Sequence, residues 1–239
     1  MSDVFQIASI GLFEARQRLE AISTNAASAT LPGYRRQVVT GRVFDAALAE
    51  PDKSTETTPP AQHPLDLRAG AMMATGRALD VAIDGDDLFF ALTDGSRTWL
   101  TRAGAFHLNE DGVLVGERGL RVVGTQDDVR LPSGEVSVQA DGRITHDGVI
   151  VAALQLFRPN DRASLSADQG ALLIAPDGVR PAEAGTARVR GGALEASNTD
   201  ASREMLSLVA LSRQFEGLTQ VLQGYDAALG RTIQKLGEI

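Results

Sequence analysis

From Thr199 to Ile239 the sequence reads TDASREMLSLVALSRQFEGLTQVLQGYDAALGRTIQKLGEI, with no proline to interrupt it. Leu208, Leu211, Phe215, Leu218, Leu222, Tyr225, Leu229 and Leu236 recur at alternating steps of three and four, with Thr232 as the one polar lapse. A period of about 3.5 residues held over that length predicts a helix that packs lengthwise on another helix. Asn198, Thr199 and Asp200 supply capping groups just ahead of it. At 1.5 Å per residue the helix would run roughly 50–60 Å, longer than a small globular domain needs.

The other end of the chain offers a partner. Phe5, Ala8, Leu12, Ala15, Leu19, Ile22 and Ala26 take the same steps, which predicts a second helix from residue 4 to about residue 29. Pro32-Gly33 is expected to end it. Two heptad helices, one at each terminus, are expected to pair as a coiled coil, with Ala8 and Ala15 small enough to receive knobs such as Phe215 or Leu218. Ile7, Ile10 and Phe13 lie off that seam and make a second apolar patch. Such a patch asks for a second partner, either a neighbouring subunit or the chain's own middle region.

Between the helices the character changes. Arg36 to about Leu48 reads as extended, and Glu50 to Pro64 is a polar, proline-containing connector. Residues 66–192 are β-like. The turn pairs Asp84-Gly85, Asp94-Gly95, Asp111-Gly112, Ser133-Gly134, Asp141-Gly142, Asp147-Gly148 and Asp177-Gly178 separate short apolar runs. Among those runs are Leu79–Ile83, Leu88–Leu92, Ala105–Leu108, Leu120–Val123, Val136–Val138, Val149–Phe157 and Leu172–Ala175. Asp-Gly suits tight hairpin turns, so many short strands at this spacing predict a small antiparallel sandwich or open barrel. The fold class is therefore α+β, with terminal helices paired as a coiled coil and an antiparallel β domain inserted between them. The expected segments are a helix and loop at 1–35, a connector at 36–65, the β domain at 66–192 and the C-terminal helix at 193–239.

Composition narrows the chemistry. The chain has 239 residues, 43% of them hydrophobic and 23% charged, which suits a folded protein with a core. A net charge of −8 argues against nucleic acid or an acidic membrane as the main partner. There is no cysteine, hence no disulfide, thiolate nucleophile or Cys-based metal site. No apolar run approaches the ~18 residues of a membrane span. The opening MSDVFQIASIG has no basic stretch, so a cleaved secretory signal is not expected.

No catalytic, cofactor or metal site is expected. Asp84, Asp86 and Asp87 lack the spacing of a calcium loop and read as turn chemistry. His63, His107 and His146 are scattered, with no ligand pair among them. There is neither a G-x-S-x-G elbow nor a phosphate-binding glycine–lysine loop. Arg213 and Glu216 stand three apart on the C-terminal helix, flanking Phe215. They read either as an ordinary helix ion pair or as a polar contact to a neighbouring subunit.

Several motifs carry a resemblance. Leu19 to Arg35, LEAISTNAASATLPGYR, resembles the N-terminal signature of the flagellar rod and hook family, approximately L-D-x-I-S-N-N-I-A-N-x-x-T-x-G-Y-K. Leu19, Ile22, Ser23, Asn25, Ala27, Gly33 and Tyr34 match, and Arg35 replaces the lysine. The sequence departs at Thr24, Ala26, Ser28 and Thr30. Leu194-Glu195-Ala196-Ser197-Asn198, Glu204-Met205 and Arg213-Gln214-Phe215-Glu216 look like the family's L-E-x-S-N, E-M and R-x-[YF]-E pieces. In the middle, Leu79–Gly85 resembles its L-D-V-A-I-x-G strand, and Thr101–Phe106 its T-R-x-G-x-F segment. Arg102 in that segment reads as a strand-end structural arginine or a family-specific contact.

The resemblance implies a structural subunit of the flagellar axial structure, of the proximal rod, with a distal-rod or hook-type relative as the alternative. It implies polymerisation with other copies and other rod subunits through the terminal helices. It also implies export by the flagellar type III apparatus without signal cleavage, and a place in the basal-body rod crossing the periplasm. A reading from another class is a secreted β-domain binding module with a coiled-coil oligomerisation tail.

Overall fold

Both stretches of heptad periodicity are helical. A computed structural model of the chain describes residues 2–38, 64–126, 128–132, 134–183 and 188–237; for 2–10, 222, 225–226 and 228–237 it describes the backbone alone. The helices are α1 (Ser2–Ala27) and α2 (Ala201–Gly237), with antiparallel β-structure between them in sequence. The class is α+β. No helix among the described residues is long and apolar enough to cross a membrane. The side chains of Phe5, Ile7, Ile10, Leu222, Tyr225 and Leu229 lie outside the described residues, as do His63 and the connector from 39 to 63.

The described residues form two compact units, one of 2–26 and 201–237, the other of 27–38 and 64–200. In the helical unit, α1 buries Gly11, Glu14, Ala15 and Ala21 and exposes Phe13, Arg16, Leu19 and Glu20. Arg16 and Glu20 pair one turn apart at 3.0 Å, on the exposed face where such pairs contribute little. On α2, Leu211 is buried and Leu208 and Leu218 are half-buried.

α1 stops at Ala27, close to the end expected at about residue 29 and before the Pro32-Gly33 turn. Residues 28–33 turn instead, with Leu31 N donating to Ser28 O at 3.0 Å. Ala-Ser-Ala-Thr offers side chains that compete for backbone hydrogen bonds, so the helix yields before the proline is reached.

The β unit contains β1 (Met72–Ala74), β2 (Val81–Asp84), β3 (Phe89–Thr93), β4 (Thr98–Thr101), β5 (His107–Leu108), β6 (Leu114–Val115), β7 (Arg121–Val122) and β8 (Val136–Val138). It continues through β9 (Arg143–His146), β10 (Val149–Ala153), β11 (Leu156–Pro159), β12 (Ser166–Ala167), β13 (Leu172–Ile174), β14 (Val179–Pro181), β15 (Arg188–Gly191) and β16 (Ala193–Glu195). The largest sheet runs β12-β13-β4-β3-β7-β6-β5, with β11 joining β3 and β14 joining β11. β8, β9 and β10 form a smaller sheet, and β1–β16 and β2–β15 are two-stranded ribbons. Every strand pair is antiparallel.

Strand β3 is the axis of this unit. Phe90 and Leu92 enter one hydrophobic cluster with Trp99, Phe106, Leu114 and Leu172; Phe89 and Ala91 enter a second with Leu100 and Leu173. Alternate residues thus feed opposite faces, and both faces are covered. That is why Leu88–Leu92 reads as an unbroken apolar run rather than alternating. Phe106 meets Phe90 edge-on, with centroids 5.0 Å apart.

The single run expected over Val149–Phe157 is two strands. β10 pairs with β9 through an irregularity between Ile150 and Ala152, whereas β11 pairs with β3 and β14. Between them Leu154 bridges to Gly124 and Gln155 N donates to Val123 O at 3.4 Å, so the chain changes sheets there. Of the Asp-Gly turns, Asp147-Gly148 has positive φ at both residues, 49° and 81°, as a tight β9–β10 hairpin requires.

Candidate functional site

Two places in the molecule stand apart from ordinary packing. The first is in the helical unit. A groove of about 480 Å³ is lined by Leu12, Phe13, Ala15, Arg16 and Leu19 of α1 and by Leu211, Ser212 and Phe215 of α2. Its walls are mainly apolar, yet Phe13 is 60% exposed and Leu19 and Phe215 are 43% and 46% exposed. Further along α2, Met205, Leu206, Val209 and Val221 are exposed as well.

The expected seam is therefore unevenly covered. Leu211 is buried; Leu12, Ile22, Leu208 and Leu218 are half-buried; Leu19 and Phe215 face the groove together with Phe13 of the second patch. Arg213 and Glu216 are both exposed and form no ion pair with each other among the described residues.

The second place is a buried charge cluster in the β unit. Three segments meet there: the loop after α1, the end of β4, and β16 with the residues that follow it. Gly33 N donates to Glu195 O at 2.8 Å. Gly33 has φ +70°, and a Cβ there would collide with the backbone of Arg102 and Ala103. Only glycine suits both the conformation and the space. Tyr34 is buried just after it.

Arg35 then points inward. Its Nη2 donates to Glu195 Oε1 at 2.5 Å, and Arg102 Nη1 donates to Glu195 Oε2 at 3.0 Å. Gly70 N donates to Glu195 Oε1 at 2.9 Å, and Arg102 Nη2 donates to Gly85 O at 2.6 Å. Arg102 also lies over the Phe89 ring, 5.1 Å from its centroid. All three charged side chains are essentially solvent-free. Burial pushes the Arg102 guanidinium below the ordinary arginine value, and the Glu195 carboxylate opposes that push. Two guanidiniums thus share one carboxylate. Arg35 Nε, Arg35 Nη1 and Arg102 Nε are buried without a hydrogen-bond partner among the described residues.

Asn198 closes the arrangement. Its Oδ1 accepts from Arg36 N at 2.8 Å, and its Nδ2 donates to Asp66 O and Arg68 O at 2.7 and 3.0 Å. Asn198, one of three residues expected to offer capping groups to α2, spends its side chain here instead. Nearby, Arg77 grips buried Asp80 with two hydrogen bonds of 2.9 and 2.5 Å. Burial raises the Asp80 carboxyl, but hydrogen bonds from Arg77 and Thr75 outweigh it and hold the group below the usual carboxylate range.

Of the signature residues, Asn25, Gly33 and Tyr34 are buried, Asn198 is half-buried and Ser23 is exposed. The structure joins Gly33, Tyr34 and Asn198 through the backbone of the two segments, whereas Arg213 and Glu216 belong to the helical unit. Sequence reading did not assign Arg35 or Glu195 a role and left Arg102 open. The signal was present: three separate motifs supply Arg35, Arg102 and Glu195, two positive residues and one negative.

Comparisons with known proteins agree with the motifs. Residues 82–151 match the family model described as "Flagellar hook protein FlgE/F/G D1 domain", and residues 190–235 match "Flagellar basal body rod FlgEFG protein C-terminal". The chain is 31% identical over 227 residues to the flagellar basal-body rod protein FlgF of Rhizobium meliloti, covering 92% of each. It is 30% identical over 242 residues to FlgF of Escherichia coli, covering 90% of each. Against the flagellar basal-body rod protein FlgG of Bacillus subtilis it is 24% identical over 258 residues, covering 92% of this chain and 93% of the relative. With motifs at both ends in the right order and similarity along nearly the whole length, the chain belongs to the flagellar basal-body rod protein family of FlgF and its relatives.

Proposed function

We propose that the protein is a structural, non-catalytic subunit of the flagellar proximal rod, and that it polymerises through its terminal helices. The observation that carries this reading is the groove between α1 and α2, where Phe13, Leu19 and Phe215 stay exposed. Burying one such side chain contributes roughly 1.5–3 kcal/mol, so several exposed along one groove favour a neighbouring subunit's side chains as their cover. In this reading the two helices pair as a coiled coil, and repeated head-to-tail contacts build a tube of helical symmetry. Its partners are other copies and other rod subunits, in a rod that crosses the periplasm and transmits torque. Export runs through the flagellar type III apparatus without signal cleavage. The likeness to FlgG keeps a distal-rod position as the second reading.

Leu19→Asp and Phe215→Asp test the proposal. Both positions are exposed in the subunit, so the fold should tolerate them, whereas an intersubunit contact should not. Cells carrying either variant should make the protein but not swim, and isolated basal bodies should lack it. Gln223→Asp, exposed and off the seam, should swim normally. Normal incorporation of Phe215→Asp would sink the reading.

A further inference from the structure

The buried cluster is unbalanced in charge. Arg35 and Arg102 face one another across Glu195, and three of their nitrogens find no acceptor among the described residues. Exposed Asp86 also acts on Arg102, but more weakly than Glu195 or Arg35 does. Burying an excess charge and unmet donors is costly. The cost is not shared equally. Arg102 is anchored at the end of β4, by Gly85 O and the Phe89 ring as well as by Glu195. Arg35 sits on a loop, and its single hydrogen bond among those described is to Glu195. If Arg35 leaves for water, the pair that stays behind is neutral, and Glu195 keeps both Arg102 and the Gly70 amide.

We propose that residues 28–38, the segment that brings the chain from α1 into the β unit, form a latch poised to open, held shut against the uncompensated charge of Arg35. The closed state rests on Tyr34 burial, on Gly33 N to Glu195 O and Arg36 N to Asn198 Oδ1, and on Asp66 N to Arg36 O, Val38 N to Pro64 O and Asn198 N to Tyr34 O. Opening breaks those contacts and relieves the charge, while the β3–β4 core stays intact. An ordinary salt-bridge clasp has the opposite sign: there Arg35 holds the loop down, and removing it would loosen the loop. The inference stands apart from the assembly reading, because it concerns the β unit alone.

Native-state hydrogen exchange on the full chain separates the two. In the native protein the Gly33 and Arg36 amides should exchange about tenfold or more faster than the amides of β3 and β4, through openings insensitive to denaturant. Arg35→Met keeps the apolar stem and removes the charge. It should slow exchange at Gly33 and Arg36 by about tenfold, with β3 and β4 unchanged or better protected. Glu195→Gln keeps an acceptor for Gly70 N and removes the only counter-charge within the cluster, so it should speed exchange at both amides. Faster loop exchange in Arg35→Met, or failure of that variant to fold, would overturn the proposal. So would native loop amides that exchange only together with β3 and β4, or exchange in Glu195→Gln unchanged from the native chain.

Discussion

Arg36 and Asn198, 162 positions apart in sequence, are joined by a 2.8 Å hydrogen bond in which the Arg36 amide donates to Asn198 Oδ1. The same side chain donates to Asp66 O and Arg68 O, so one amide group ties together three segments of the β unit. Asn198→Asp preserves shape and the acceptor but abolishes both donations. Two carbonyls would then face a carboxylate oxygen. The expected loss is about 1–3 kcal/mol, read as a lower urea midpoint of the β unit. A midpoint equal to that of the native chain would show that Asn198 bears no such role.

Gly33 and Gly76 offer a matched pair. Their φ angles are +70° and +72°, so an added Cβ meets the same backbone strain at each. At Gly76 it meets nothing within 4 Å, whereas at Gly33 it strikes the backbone of Arg102 and Ala103. Gly76→Ala should therefore cost about 1–2 kcal/mol and Gly33→Ala clearly more, since backbone cannot move aside as a side chain can. Thermal unfolding of the two variants side by side decides it. Equal losses would mean that the Gly33 contact relaxes freely.

Asp80 gives the acid side of stability a specific contributor. Its folded carboxyl lies below the usual range, because Arg77 and Thr75 outweigh the effect of burial. Between that lowered value and the ordinary one, the unfolded chain binds a proton that the folded chain does not, so stability rises with pH there. The contribution is complete above the ordinary carboxylate value and is lost as pH falls through the folded one. Asp66, lowered by its hydrogen bond to Arg68, acts in the same direction. Glu117, raised by burial, acts in the opposite one: its contribution fades as pH rises through the raised value. Asp80→Asn should thus flatten the acid limb of a plot of urea midpoint against pH. Superimposable acid limbs would rule out Asp80 as a contributor.

Much of the architecture was legible because it is written in short-range patterns. The 3.5-residue repeat from Leu208 onward can be satisfied only by a helix, and α2 forms there. The same holds for Leu12, Leu19 and Ile22 in α1. Asp-Gly pairs separate antiparallel strands because few other dipeptides adopt the backbone angles of tight turns. The motifs at both ends and in the middle were sufficient to point to the family.

What the pattern could not supply was which strand meets which. Val149–Phe157 looks like one strand because its residues share one character; that Ala153 ends one strand and Leu156 begins another depends on β3 and β9 competing for the same chain. Helix α1 stops near the expected residue 29 but short of Pro32, because proline marks where a helix must stop, not where it does. Above all, Arg35, Arg102 and Glu195 are separated by tens of residues, and nothing local in any one of them announces a buried charge. Each lies beside a residue whose place is set by its neighbours: Gly33 on the Arg102–Ala103 backbone, Gly70 on Glu195, Phe89 beneath Arg102. Helices and turns follow from torsional preference and periodicity, which the sequence carries residue by residue. The cluster follows from three segments closing on one another, and only the tertiary structure brings opposite charges from distant positions into the same water-free space.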